Sequence, residues 1–167
     1  MPCDTSNVKL GPCTVKIDGE DIGLTKGGVT LSISTTSRML NDNHFGSVLP
    51  DRVITKREIM IKIPFAESTM ENMLLALPGS AHTVNASKER LDVYEAGGTL
   101  LRENAVELVL QPVGSSNENE KVTIPLAVTD GTTSLSWQIK KERVFEVEFQ
   151  ALENANGLMM FFGDATA

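Results

Sequence analysis

The chain has 167 residues, 41% of them apolar and 22% charged, and its net charge is −7. This length suits one domain with a sizeable core, and no apolar run approaches the ~18 residues that a membrane helix needs. Residues 84–167 hold most of the acidic surplus, with 13 acidic and 7 basic side chains. An acidic chain of this kind is a poor match for a protein that grips nucleic acid through its phosphates.

The N-terminus and the cysteines indicate the compartment. The first ten residues lack the basic and then apolar layout of a secretory signal, so we expect folding in the cytoplasm, no membrane partner and a flexible N-terminus over residues 1–8. Cys13 alternates in phase with Val15 and Ile17, which predicts a small buried apolar residue. A bridge between Cys3 and Cys13 stays open as an alternative.

Alternating apolar residues predict strands from residue 13 onwards. The dipeptide Asp18-Gly19 after the first run predicts a hairpin turn. A later run, residues 29–34, alternates apolar side chains with hydroxyl-bearing ones, which predicts a half-buried strand with a neutral outer face. The hydroxyl-bearing residues of that run are Thr30, Ser32 and Ser34.

The alternation is lost over residues 35–52. This stretch is rich in turn residues and is longer than most connections inside a compact domain. It nevertheless carries five large apolar side chains: Met39, Leu40, Phe45, Val48 and Leu49. We therefore expect an extended arm that packs against something, such as another subunit, with its exact contacts open.

A strand and a short helix follow from residue 53. Glu58 lies on the polar side of the strand, opposite a run of isoleucines. Ser68 with Glu71 three residues later forms a capping box, and Pro78-Gly79 ends the helix. A helix this short is unstable alone, so its apolar stripe is expected to pack on a sheet. The stripe consists of Met70, Met73, Leu74 and Leu77.

The second half of the chain is also dominated by strands. Residues 80–104 show only a possible strand at 91–94, but four clear alternating runs follow, in which Trp137 falls on the apolar side and Glu146 and Glu148 on the polar side. An apolar stretch, GLMMFFGDATA, closes the chain. About eight to ten antiparallel strands and one helix predict a single mainly β domain over residues 1–167. Its expected form is a two-sheet antiparallel β-sandwich or barrel with one flanking α-helix.

No catalytic constellation is apparent. His44 and His82 fall in predicted loops without further ligands at metal spacing, and the glycine pairs lack a phosphate cradle. Glu146 and Glu148 share a strand face and could mimic a glycosidase pair, but they are more simply the polar side of an amphipathic strand. We expect no enzyme, no cofactor and no metal.

Four stretches, in order, resemble the major tail tube proteins of long-tailed, siphovirus-like bacteriophages. The first is VKLGPCTVKIDGEDIGLTKGGVTLSIS and the second is REIMIKIPFAESTMENMLLALPG. The third is the strand pair AVELVLQPV and ERVFEVEFQAL, and the fourth is the closing NGLMMFFGD. Together they cover roughly half of the chain.

This resemblance implies the phage tail tube fold and a structural role in the virion. Hexameric rings would each join one sheet per copy into a continuous β-barrel. The rings would stack around a tape-measure protein, between tail terminator and tip proteins, into the tube that conducts DNA into the host during ejection. The protein would belong to the virion tail, assemble in the host cytoplasm and let DNA pass without specific binding. The same fold recurs in the tubes of contractile tails and of type VI secretion.

Within such a tube, the polar sides of strands 29–34, 53–62 and 145–151 would line the channel. The hypothetical lining residues are Thr30, Ser32, Ser34, Glu58, Glu146 and Glu148. We expect this lining to be neutral or negative, so that DNA slides. The alternatives are another phage module, such as a head–tail joining or decoration protein, and a hydrolase or lectin domain with the two glutamates of the last strand as its site.

Overall fold

The computed structural model describes residues 12–23, 25–39, 51–95, 97–113, 117–130, 133–135 and 144–165. Over these ranges the chain is mainly β with one α-helix, which confirms the predicted fold class. The strands are β1 (Cys13–Ile17), β2 (Glu20–Asp21), β3 (Thr30–Met39), β4 (Arg52–Phe65), β5 (Ala81–Asn85), β6 (Lys88–Asp92), β7 (Val106–Pro112), β8 (Val122–Thr129), β9 (Ser134–Leu135), β10 (Phe145–Ala151) and β11 (Phe161–Phe162). The helix is α1 (Met70–Ala76), and short 3₁₀ turns cover Leu101–Asn104 and Glu118–Glu120.

Nine strands form one continuous antiparallel sheet with the order β2-β1-β7-β8-β10-β4-β3. Strand β8 joins its two halves, because Ile124 pairs with β7 whereas Val128 pairs with β10. Strand β11 adds to β8 and strand β9 to β10, and the hairpin β5–β6 forms a second sheet. Residues from both halves meet in one hydrophobic core, so the large sheet folds over on itself as a β-sandwich.

The core follows from the alternation that the sequence displays. Strands β4 and β10 pair directly and turn four consecutive alternate side chains each towards the interior. The Phe65 and Phe145 rings pack with centroids 6.1 Å apart, and Phe149 is buried between the layers. Each such side chain contributes about 1.5–3 kcal/mol of burial before chain entropy opposes it. The opposing layer supplies Val15, Ile17, Leu108, Leu110 and Ile124.

The turn between β1 and β2 is the one that its sequence predicted. Asp18 and Gly19 both have positive φ, at 49° and 85°. Two successive positive φ values are typical of the tight hairpin turn that matches the twist of the flanking strands.

Helix α1 packs on the core side of the sheet. Its N-cap is Thr69, whose hydroxyl accepts a hydrogen bond from the Asn72 amide at 3.1 Å. The predicted cap at Ser68 is therefore wrong by one residue, and the buried Ser68 hydroxyl finds no partner in the described part of the chain. The Thr129 hydroxyl of β8 donates to the Leu75 carbonyl at 2.8 Å, which fixes the helix to the sheet.

The helical side chains take unequal positions. Met73 and Leu77 of the predicted stripe pack against the core, whereas Met70 and Leu74 are half-buried. Leu75 and Ala76 also pack there. The helix ends at Leu77, whose backbone N–H donates to the Leu74 carbonyl. In a helix this short, apolar residues at helical spacing in the sequence do not determine which side chains are buried.

The hairpin β3–β4 is longer than the alternation predicted. Strand β3 continues to Met39, and β4 starts at Arg52, so the connection is residues 40–51. A register shift beside Thr36 leaves Thr55 as an extra residue in β4, and the Thr55 hydroxyl donates to the Thr36 carbonyl at 3.2 Å. Residues 35–39 of β3 are exposed apart from half-buried Ser37, so they show no alternation of buried and exposed side chains, which is why the sequence alone did not show the extension. Of the predicted arm residues, Met39 is exposed on β3, whereas Leu40, Phe45, Val48 and Leu49, like residues 1–8, lie outside the described residues.

Residues 81–92 form the hairpin β5–β6, where only a possible strand at 91–94 had been predicted. Most of its side chains are exposed, so it has no apolar alternation to read. His82 lies on β5 rather than in a loop, half-buried, with its Nε2 3.8 Å from Glu89 Oε2. His44 and Trp137 lie outside the described residues.

Cys13 is a half-buried free cysteine packed against the core. Burial raises the pKa of its thiol. The Cys13 side chain is therefore less buried than its alternation with Val15 predicted.

Candidate functional site

The outward surface of β3, β4 and β10 collects the polar residues that the sequence singled out, and we call it the polar face. Lys62 pairs with Glu148 on one side and with Thr30 on the other, and Glu58 pairs with Ser34. Direct cross-strand partners point to the same side of a sheet. The structure therefore brings the six predicted residues onto one exposed or half-buried surface: Thr30, Ser32, Ser34, Glu58, Glu146 and Glu148.

The position of these residues is set by their buried neighbours. Glu146 and Glu148 alternate with Phe145, Val147 and Phe149, all of which are buried in the core. A slip of one residue would turn the phenylalanines outward and the carboxylates inward. The hydrophobic effect on the buried neighbours therefore sets the register of the polar face, independently of the interactions between the polar residues.

The polar face is electrically balanced. Lys62 Nζ lies 3.4 Å from Glu146 Oε1, and Lys56 forms an ion pair with Glu58. Arg38 takes the same side of β3 by alternation, so three basic groups match the three carboxylates of the face. The whole chain, in contrast, carries −7. Exposed ion pairs add little stability, but here they cancel the field of the surface.

The two glutamates of β10 do not show the unlike surroundings that an acid–base pair requires. Both are half-buried on the same open strand face, one beside a lysine and the other opposite it. Within the described ranges, no three His, Cys, Asp or Glu side chains are grouped so that they could share a metal ion. None of the helices in those ranges has the length and apolar character to cross a membrane.

Strand β3 forms one edge of the large sheet, and no other described strand lies beyond it. It is 10 residues long, and among the described strands only β4 pairs with it. The opposite end of the sheet is β2, with 2 residues. Edge strands of soluble monomers are usually short, covered or interrupted. A long edge of this kind is a surface on which another strand can add.

The hairpin β3–β4 projects beyond the end of β10. The last residue of β10 that pairs with β4 is Gln150, opposite Met60, and β4 is exposed on both sides over residues 52–57. The inner side of this projection continues the core-facing side of the sheet, but the opposing layer of the sandwich does not fully cover it. We call residues 33–39 and 52–59 the projecting hairpin.

A groove of about 680 Å³ separates the inner side of the projecting hairpin from residues 157–162. Its lining residues are Ile33, Thr35, Ile54, Arg57, Ile59, Gly157, Leu158, Met159, Met160 and Phe162. The sequence did not reveal it, because Ile33 alternates in phase with true core residues. The apolar C-terminal stretch was its only sign.

The fold and these surfaces define the class of the protein as a mainly β sandwich with one flanking helix. No protein-family model matches the chain, and no curated protein matches it either. The features that bear on its function are the polar face, the open β3 edge and the groove.

Proposed function

We propose that the protein is a structural subunit that assembles into stacked rings, and that it is the major tail tube protein of a long-tailed bacteriophage. The observation that carries this proposal is the polar face, a hydroxyl-rich and electrically balanced surface on a sheet whose edge strand is open. The ordered resemblance of the sequence to that family supplies the identity.

Lateral joining of sheets accounts for the open edge. If β3 of one copy pairs with a sheet edge of the next, each added copy covers an edge, and closing the ring removes the last one. Helix α1 packs on the core side of the sheet, because its partner Thr129 lies opposite the buried Phe149. The helix and the polar face are thus on opposite sides, so a barrel with the polar face inside would carry the helix outside.

The chemistry of the polar face suits passage rather than binding. Nucleic acid affinity comes mainly from basic side chains that displace counterions from phosphates. The lysines of this face are instead paired with Glu58 and Glu146, and strand β3 presents hydroxyl groups to it. A channel lined in this way offers DNA a polar wall with little net attraction.

The proposal includes the partners and location that the resemblance implies. The partners are other copies of the chain, a tape-measure protein, and terminator and tip proteins, with DNA in transit only. The protein resides in the virion tail after assembly in the host cytoplasm and has no catalytic role. The alternatives are a head–tail joining or decoration protein, or the tube subunit of a contractile or type VI-like system.

Negative-stain images of the concentrated protein, combined with a labelling test, examine the proposal. Ser32→Cys, made in a variant with Cys3→Ser and Cys13→Ser, places a thiol on the polar face, and Thr83→Cys in the same variant is an exposed control on β5. Rings or tubes of uniform bore are expected. In them, a small maleimide should label both thiols, whereas a large polymer-linked maleimide should label only the control.

Two results would contradict the proposal. One is a protein that stays monomeric or forms only small oligomers without a central bore at high concentration. The other is a tube in which the large reagent reaches the thiol at position 32 as readily as the control thiol, because the polar face would then lie outside.

A further inference from the structure

The groove beside the projecting hairpin is an apolar surface that the described part of the chain leaves unfilled. Ile33, Ile54 and Phe162 are 51%, 54% and 66% exposed, although all three line a cavity of about 680 Å³. Clustered exposed apolar side chains mark an interaction site or an aggregation hazard. A volume of this size accommodates a few side chains of a bound segment.

The lining of the groove specifies the kind of segment it accepts. Met159 and Met160 are partly buried against the core, and methionine adapts its shape to a bound apolar group. Arg57 is the one charged residue of the lining, and no carboxylate among the described residues forms an ion pair with it. The groove therefore favours a short apolar segment that carries an acidic side chain and no basic one.

A second apolar patch lies on the connection that follows strand β6. Residues 93–100, VYEAGGTL, lead from β6 to the 3₁₀ turn that starts at Leu101, and we call them the exposed connection. Val93, Tyr94 and Leu100 are 63%, 60% and 65% exposed. Tyrosine is among the residues that most often anchor protein interfaces, so this connection has the character of a segment that docks.

The exposed connection carries the charge that the groove favours. It contains one acidic residue, Glu95, and no lysine or arginine. Within the described ranges, no basic group forms an ion pair with Glu95. Arg102, the first basic residue after the connection, is engaged elsewhere, because its Nη2 donates to the Glu153 carbonyl at 2.5 Å. The connection therefore presents an acidic and apolar surface.

The two patches do not cover each other within one copy. No residue of the exposed connection lines the groove, and both patches are exposed in the same structure. Outside these patches and the hairpin β3–β4, Val84 and Val113 are isolated exposed apolar residues of the described ranges. A contact between two copies covers both patches at once.

We propose that the groove of one copy receives the exposed connection of a second copy. Tyr94, flanked by Val93 and Leu100, would enter the groove. Glu95 would approach the Arg57 guanidinium at the rim. A charge pair at the rim sets the orientation of the docked segment more than its affinity.

The contact joins two different surfaces, so it is heterologous. Each added copy leaves a free groove at one end and a free connection at the other, which generates a ring or a filament rather than a closed pair. This proposal deepens the assembly proposed above, and it rests on that proposal only for the shape of the product.

Cross-linking between two differently tagged copies tests the contact. In the variant with Cys3→Ser and Cys13→Ser, one copy carries Thr35→Cys in the groove and the other carries Thr99→Cys in the exposed connection. Both changes replace exposed threonines and keep the apolar side chains in place. A short bis-maleimide is expected to give the covalent heterodimer. A matched mixture with Thr83→Cys in place of Thr99→Cys should give only background, and equal yields in the two mixtures overturn the proposal.

A chain that carries both Thr35→Cys and Thr99→Cys tests the head-to-tail order. A ladder of products longer than the dimer is expected. Products that stop at the dimer, or an internally bridged monomer as the main product, overturn the proposal. In the two-copy mixture, a higher yield from Phe45→Cys than from Thr99→Cys assigns the groove to residues 40–50 and also overturns it.

This contact and the tube can fail separately. A ladder from small oligomers without a bore, seen in negative stain, supports the contact and contradicts the tube. Tubes of uniform bore without the cross-link contradict the contact alone.

Reversal of the two charges tests the orientation of the docked segment. Arg57→Glu in the groove copy, or Glu95→Arg in the connection copy, should lower the heterodimer yield by roughly fivefold or more, because like charges then meet. Both reversals together should restore the yield. If the double reversal gives no more heterodimer than either single one, Glu95 does not face Arg57 and the proposed orientation is overturned.

A further variant tests the apolar anchor without cysteines. Tyr94→Ala is expected to weaken self-association by roughly tenfold or more in sedimentation velocity. The fold should persist, because Tyr94 is exposed in the single copy. Val84→Ala, at an exposed apolar position on β5, is the matched control. A Tyr94→Ala variant that associates as the control does would overturn the role of the exposed connection.

Discussion

The balance of charge on the polar face can be reversed by two substitutions, Glu146→Lys and Glu148→Lys. Each replaces a negative group by a positive one, so the face changes from balanced to strongly positive and the ion pair between Lys62 and Glu146 is lost. In the proposed tube, the variant should hold DNA that the natural protein lets pass.

The structural cost of this change is small. The Lys62 and Glu146 side chains are 48% and 46% exposed, so their pair is worth at most about 1 kcal/mol. Repulsion between the new lysines and Lys62 adds a similar cost. A domain stability of about 5–15 kcal/mol absorbs both, and the variant should still fold and assemble.

The effect on DNA is larger. Each phosphate that a lysine neutralises steepens the dependence of log affinity on log salt by about 0.9. If both new lysines of one copy reach phosphates, affinity falls about tenfold between ~50 and ~200 mM salt for each copy engaged. The natural face, with its lysines already paired, should show almost no such dependence.

Co-sedimentation of assembled tubes with a short fluorescent DNA duplex, over a series of salt concentrations, measures this dependence. The matched control is Glu103→Lys with Glu107→Lys, which makes the same change in net charge at exposed positions outside the polar face. The reasoning is refuted if the polar-face variant retains no more DNA than the control at low salt, or if both show the same salt dependence.

Two further predictions concern the fold. Thr69→Ala should lower the free energy of unfolding by about 1 kcal/mol in chemical denaturation, because it removes the hydroxyl that caps α1. Ser68→Ala should be close to neutral, and a larger loss from Ser68→Ala than from Thr69→Ala would indicate that Ser68 is the cap after all. Phe149→Ala should lower the free energy of unfolding by about 3–5 kcal/mol, because it leaves a cavity in the core. Phe162→Ala should lower it far less, because Phe162 is exposed in the single copy. Similar losses for the two variants would place Phe149 outside the core.

The residues that alternate in the sequence were placed correctly wherever one side of a strand is buried. Strand β10 begins and ends as predicted, and its buried and exposed residues alternate as predicted. Water drives the phenylalanines of β10 inward, so Glu146 and Glu148 could be assigned to the opposite side from the sequence alone. The same reasoning failed for the hairpin β5–β6, because a strand exposed on both sides needs no alternation.

The sequence by itself therefore determined the fold class, most of the strands and the side of the sheet that each polar residue occupies, since these depend on local period and on burial. Only the tertiary structure decided which strands are neighbours, how far the hairpin β3–β4 projects and where the groove opens. Those features depend on contacts between distant parts of the chain. Ile33 shows the limit: it alternates as a core residue does, yet it lines the groove and is half exposed.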